Sequence, residues 1–231
     1  MVFGDQSSVY PLLQNNPKQI TLPNGASGLL YLPQSHKFYK PYPLLIALHG
    51  MKQTPENTLE KWRPISDKLG YILLCPKGSE FNKGFIRTPT DDRKMILALR
   101  EKVSNHFTID YKRSIVAGYS RGGTFALELG LLYPQKFPNV ISIFGFYNQK
   151  MNPIVSIQKE SHAYINSRFF LITGRTDATY ESAKGAHHAL LKRDIKSKLR
   201  TYQQLTHSYP TDLIHTFHLI QEWMFASRFD T

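Results

Sequence analysis

A series of short apolar runs sets the terms on which this chain can fold: Leu44–Leu48, Tyr71–Cys75, Ser114–Ala117, Val140–Phe146 and Phe169–Thr173. Each has the length of a strand, too short for a helix, and lacks the polar alternation of a half-exposed sheet. Runs of this kind are buried on both faces, which is the condition of strands in a parallel sheet. Parallel neighbours require a crossover, and the stretches between the runs supply it with apolar residues at helical spacing. The expected fold class is therefore α/β, a mostly parallel central sheet with helices on both faces.

The helical stretches can be placed by their stripes and their ends. Residues 55–69 align Leu59, Trp62, Ile65 and Leu69, with Thr54 as a natural N-cap and Pro55 suited to the first helical position. Pro64 inside this stretch is expected to kink or divide it. Residues 91–107 align Ile96, Leu99, Val103 and Phe107, opened by Thr90 and two aspartates that favour the positive end of the helix. Further helices are expected over 122–133, ended by Pro134, over 180–193 and over 211–227. A last strand is expected over Leu199–Leu205. The first 43 residues read as an extended hairpin region, with Asn24-Gly25 as its turn. No linker or repeat divides the 231 residues, so a single domain is expected, with 44–231 as its core.

Composition removes several classes of function. No apolar run reaches the ~18 residues of a membrane helix. The start M-V-F-G-D-Q-S-S has no basic region leading into an apolar one, so no signal peptide is expected and a cytoplasmic location is, with leaderless export or a trimmed leader as the alternatives. A lone cysteine, Cys75, excludes an internal disulfide and a cysteine-based zinc site. The formal charge of +12 invites a nucleic-acid reading, but the basic residues are scattered and their densest group, Lys192 to Arg200, suits a solvated surface. No nucleic-acid partner and no transmembrane segment are expected.

Chemistry is concentrated in S-I-V-A-G-Y-S-R-G-G at 114–123. A β-branched run ends at Gly118, Ser120 falls on the turn, and Gly122-Gly123 opens an apolar helix. This is G-x-S-x-G in the strand–turn–helix setting that gives the pattern its meaning. A side chain at 118 or 122 would collide with the neighbouring strand and helix. The serine hydroxyl is then presented at the carboxyl edge of the sheet beside a helix N-terminus, where developing negative charge is favoured. Ser120 is the candidate nucleophile.

Beyond the elbow, the chain from about Leu44 to Phe225 resembles the α/β-hydrolases, in particular the small carboxylesterase, lysophospholipase and acyl-thioesterase-like group without a large lid. It also has some likeness to polyhydroxybutyrate-depolymerase-type esterases. The resemblance is carried by L-H-G-M-K-Q-T at 48–54, G-Y-S-R-G-G-T-F-A-L-E-L at 118–129, Y-P-Q-K-F at 133–137, T-G-R-T-D at 173–177 and T-H-S-Y-P at 206–210. It implies a triad in the order serine, acid, histidine, and an oxyanion hole made by the backbone N–H groups of Met51 and Arg121. His49 then braces its loop and is not the base, since it precedes the serine.

For the acid, Asp177 lies on the loop leaving the carboxyl end of the strand Phe169–Thr173, where α/β folds place functional groups. Its competitors are less well placed: Asp194 in a basic cluster and Asp212 at a helix start. For the base, His187 and His188 fall within a helical segment, His215 opposite the apolar face of the last helix and His218 near its border. His207 follows the last strand and precedes Ser208-Tyr209-Pro210, where the histidine of the resembled family sits; Thr206 replaces the glycine usual before it.

The reaction these residues imply is hydrolysis of a carboxylic ester through an acyl-serine, with no cofactor and no metal expected. Thioesters and lysophospholipids would use the same machinery. The less favoured alternatives are a peptidase of the prolyl-oligopeptidase type, which needs a cap this chain has no room for, and a catalytically silent hydrolase fold binding an acidic partner. The segment 147–168 is long enough for a loop and one short helix and too short for a multi-helix cap. Phe81, Phe85, Phe146 and Tyr147 are the candidate pocket walls. Oligomeric state has no signature.

Overall fold

The computed structural model describes residues 16–35, 37, 40–147 and 162–226. An eight-stranded sheet forms its centre, built from β1 (Lys18–Thr21), β2 (Ser27–Tyr31), β3 (Leu44–Leu48), β4 (Ile72–Pro76), β5 (Ile115–Tyr119), β6 (Asn139–Ile143), β7 (Arg168–Gly174) and β8 (Lys196–Tyr202). The spatial order is β1-β2-β4-β3-β5-β6-β7-β8. From β4 to β8 every pairing is parallel, while β1 and β2 form an antiparallel hairpin added along β4. The hairpin turn places Gly25 at φ 83°, a conformation open to glycine at little cost.

Among the described residues five helices cover the sheet: α1 (Pro55–Leu69), α2 (Asp92–Ser104), α3 (Arg121–Leu132), α4 (Tyr180–Leu191) and α5 (Leu213–Phe225). The period of two along each strand divides the core into two layers. Leu44, Ile46 and Leu48 of β3 join Ile96 and Leu99 of α2, Phe125 and Leu129 of α3, and Ala186 and Leu190 of α4. Leu45 and Ala47, pointing the other way, join Leu59, Trp62 and Ile65 of α1 and Phe217, Ile220 and Met224 of α5. At about 1.5–3 kcal/mol for each large apolar side chain fully buried, these two layers dominate the stability of the fold.

Several boundaries differ from the sequence expectation for identifiable reasons. Pro64 does not divide α1, which runs continuously from Pro55 to Leu69. The carbonyl left without its donor belongs to Glu60, which is exposed, so water can satisfy it. Thr54 closes a full capping box with Asn57, whereas the cap of α2 is Asp91 and not Thr90. Strand β6 stops at Ile143, three residues early, because Phe144 turns to φ 52°. The last strand sits at Lys196–Tyr202 and not Leu199–Leu205: the basic cluster is itself the edge strand β8, with Lys196 and Lys198 exposed. Lysines on an edge discourage pairing with a further strand. Residues 148–161, the greater part of the expected lid segment, lie outside the described residues. No helix among the described residues is long and apolar enough to cross a membrane.

Candidate active site

The carboxyl ends of β3, β5 and β7 and the loop after β8 converge on one spot, and each brings one of the sequence-predicted residues. Ser120 leaves β5 at φ 53° and ψ −117°, a conformation L residues rarely adopt. The turn is tight enough that a Cβ at position 118 would lie 2.1 Å from the Gly122 carbonyl oxygen, and one at 122 would lie 2.2 Å from that of Leu48. The backbone N–H of Ser120 donates to the Ile143 carbonyl at 2.8 Å, which fixes the elbow to the neighbouring strand.

His207 arrives from the loop after β8. Its Nε2 lies 2.9 Å from the Ser120 hydroxyl oxygen, and its Nδ1 lies 3.1 Å from Oδ2 of Asp177. Asp177 leaves β7, and its other oxygen, Oδ1, accepts from both the backbone N–H and the hydroxyl of Thr179, at 2.8 and 2.7 Å. Burial by itself would raise the Asp177 carboxyl, but the Thr179 hydrogen bonds and the adjacent imidazole outweigh it and hold the group below its ordinary value. The carboxylate therefore stays ionised with both oxygens occupied. The loops carrying Asp177 and His207 are also tied together, since Arg175 N–H donates to the Tyr202 carbonyl at 2.9 Å. A Cβ at Gly174 would fall 1.7 Å from the Leu205 carbonyl oxygen.

Met51 and Arg121 face the same space. Both line a cavity of about 370 Å³ together with Ser120, His207, Phe146 and Tyr147. Arg121 opens α3, so its backbone N–H is among the first-turn donors that have no partner within the helix. Next to Met51, Gly50 N–H donates to Gln53 Oε1 at 3.0 Å. His49 is buried behind this turn. Gly78 N–H donates to its Nε2 at 3.0 Å, so the ring proton is on Nδ1 and is donated to the Gly50 carbonyl at 2.8 Å. Burial pulls its pKa down, against smaller opposing contributions from the Gly50 bond, Asp92 and Glu56.

The competing residues stay apart. His187 hydrogen-bonds Ser197, Asp212 pairs with Arg200 at 3.7 Å, and His188, His215 and Asp194 are exposed. Of the four expected wall residues, Phe146 and Tyr147 line the cavity. Phe81 lines a separate cavity of about 400 Å³ with His49 and Gln53. Phe85 is fully buried with its ring 4.6 Å from that of His49, so it is core and not wall.

Three contributors were not expected from the sequence. The Tyr119 hydroxyl donates to the His207 carbonyl at 2.5 Å, anchoring the histidine loop. Thr179 holds Asp177, a role its position two residues after an aspartate could have suggested. Arg87 pairs through two nitrogens with Glu128 in the cavity wall, a contact spanning 41 residues that no local pattern announces.

Comparison with known proteins shows the family and the fold. The Esterase family model matches residues 96–226, more than half of the chain. This chain belongs to the Esterase family. A bifunctional acetylxylan esterase/xylanase of Neocallimastix patriciarum is 29% identical over 108 residues, covering 42% of this chain and 16% of that protein. A protein named "Probable feruloyl esterase C" of Aspergillus terreus is 25% identical over 142 residues, covering 58% of this chain and 51% of that protein. This esterase-family chain thus spans about half or less of the length of these curated relatives. A ferulic acid esterase structure superimposes with a TM-score of 0.72 at 17% identity, covering 92% of this chain and 97% of that one. The fold is that of the α/β-hydrolases.

Proposed function

We propose that this chain hydrolyses carboxylic esters through an acyl-serine intermediate, with Ser120 as nucleophile, His207 as the proton carrier and Asp177 as its orienting acid. The observation that carries the reading is the unbroken relay from Asp177 Oδ2 to His207 Nδ1 and from Nε2 to Ser120 Oγ, at 3.1 and 2.9 Å. A serine hydroxyl is a poor nucleophile at neutral pH, and a neutral imidazole within hydrogen-bond reach removes its proton as the carbonyl carbon is attacked.

The developing oxyanion is received by the backbone N–H groups of Met51 and Arg121, each donor contributing about 3–4 kcal/mol of transition-state stabilisation. On collapse, His207 returns the proton to the leaving alkoxide. Water then enters, gives its proton to Nε2, attacks the acyl carbon, and Ser120 leaves as the free hydroxyl. Asp177, kept ionised by Thr179, balances the imidazolium charge in both halves of the cycle. The names of the relatives guide the choice of ester, so acetylated xylan and feruloyl esters form the first substrate panel beside p-nitrophenyl acetate and butyrate.

The test is labelling with a fluorophosphonate probe, run beside turnover of p-nitrophenyl acetate, for wild type, Ser120→Ala, His207→Ala and Asp177→Ala. Wild type labels and turns over. The serine and histidine variants lose several orders of magnitude in kcat, and the aspartate variant somewhat less. Full labelling or turnover in Ser120→Ala would overturn the reading.

A further inference from the structure

We propose that the Arg121 side chain makes this site selective for esters that carry an anionic group, a carboxylate, sulfate or phosphate, close to the scissile bond. The proposal rests on the esterase reading above and adds the substrate class. Arg121 follows Ser120 directly and is among the residues lining the cavity that holds Ser120 and His207. Its guanidinium is not loose: Nε donates to the Phe85 carbonyl at 3.0 Å, which fixes the plane of the fork. Its terminal nitrogens make no hydrogen bond or ion pair with any described residue, so their donors are left for whatever enters the cavity.

Among the described residues no wall carboxylate forms an ion pair with Arg121. Glu128 is the one carboxylate lining the cavity among the described residues, and Arg87 occupies it with two nitrogens. The remaining lining is largely apolar, with Leu127, Leu131, Phe144 and Phe146. Burial presses the half-buried Arg121 toward its neutral form, the like charge of Arg87 adds to this, and the carboxylates of Glu128 and Asp92 oppose it from a distance. An anionic substrate group offsets the cost of that burial and accepts a planar pair of hydrogen bonds, a geometry a guanidinium supplies and an ammonium does not. The chain's charge of +12, which the hydrolytic machinery leaves unused, would also raise the encounter rate with such substrates at low salt.

The experiment compares kcat/KM within matched pairs, at low ionic strength. p-Nitrophenyl hemisuccinate against p-nitrophenyl valerate places the anion on the acyl side; 4-acetoxybenzoate against its methyl ester places it on the leaving group, and the 4-acetoxybenzenesulfonate repeats that arm with a sulfonate. Wild type should favour the anionic member of at least one pair by roughly tenfold or more, the scale of a hydrogen bond to a charged group. In Arg121→Gln that ratio should fall to about one, with Arg121→Lys in between. Because each ratio is taken within one variant, general damage to turnover cancels. Neutral esters turned over with no anion preference would overturn the proposal and leave the esterase reading standing. A preference that survives Arg121→Gln would also overturn it, by assigning the effect to the overall charge. No turnover of any ester would overturn both.

Discussion

The backbone at Ser120 stores strain, and its size can be measured without any substrate. A residue with a Cβ at φ 53° and ψ −117° sits at a cost of about 1–3 kcal/mol relative to an ordinary conformation. Ser120→Ala deletes the hydroxyl and its 2.9 Å contact with His207 but keeps the Cβ, and hence the strain. Ser120→Gly deletes the same hydroxyl and removes the Cβ as well. The difference between these two inactive variants therefore isolates the backbone contribution. Opposing it is the extra freedom of glycine in the unfolded chain, about 0.5–1 kcal/mol. The glycine variant should be the more stable, by about 0–2.5 kcal/mol and centred on ~1 kcal/mol, which for a chain of this size corresponds to about 0–10 °C in Tm. Thermal unfolding followed by circular dichroism, with urea titrations on the same samples, measures the difference. An alanine variant more stable than the glycine variant would refute the strain argument.

Two further outcomes follow from hydrogen bonds around the same turn. Tyr119→Phe removes the donor to the His207 carbonyl, so kcat on p-nitrophenyl butyrate should fall about fivefold, equivalent to ~1 kcal/mol, with KM unchanged; an unchanged kcat would show that the loop needs no such anchor. His49 is buried neutral with its pKa below the ordinary 6.5, so the unfolded chain binds more protons there as pH falls. Its contribution to stability is complete above about pH 6.5 and is lost as the solution is acidified toward the lowered folded value. Urea midpoints between about pH 7.5 and 5 should drop in wild type and lose this component in His49→Gln, and parallel curves would contradict the burial argument.

The strands and the tight turn at Ser120 were legible because their signals are local. Gly118 is needed for a close approach to the Gly122 backbone within five residues of chain, and Ile96, Leu99 and Val103 reveal a buried face by spacing alone. The placing of Asp177 just beyond an apolar strand was legible in the same way, and the structure brings it within 3.1 Å of His207. What escaped depends on distant partners. Pro64 signals a break, but an exposed Glu60 carbonyl on the solvent side makes the proline tolerable, and exposure is a tertiary property. The Lys196–Tyr202 strand was hidden because an edge strand carries its charge outward and lacks the apolar run that marked its neighbours. The Tyr119 bond to His207 joins residues 88 apart, and nothing in G-Y-S-R-G says where the phenol points.

The backbone contact between Gly174 and Leu205, with so little room that no side chain fits at 174, has a consequence for anyone redesigning this molecule. The turn that carries the acid and the turn that carries the base are in effect one piece of scaffold in two chain segments. An insertion in either would displace the other, and the imidazole would lose its alignment before any new wall could form. Loop grafting should therefore leave 174–179 and 203–208 untouched.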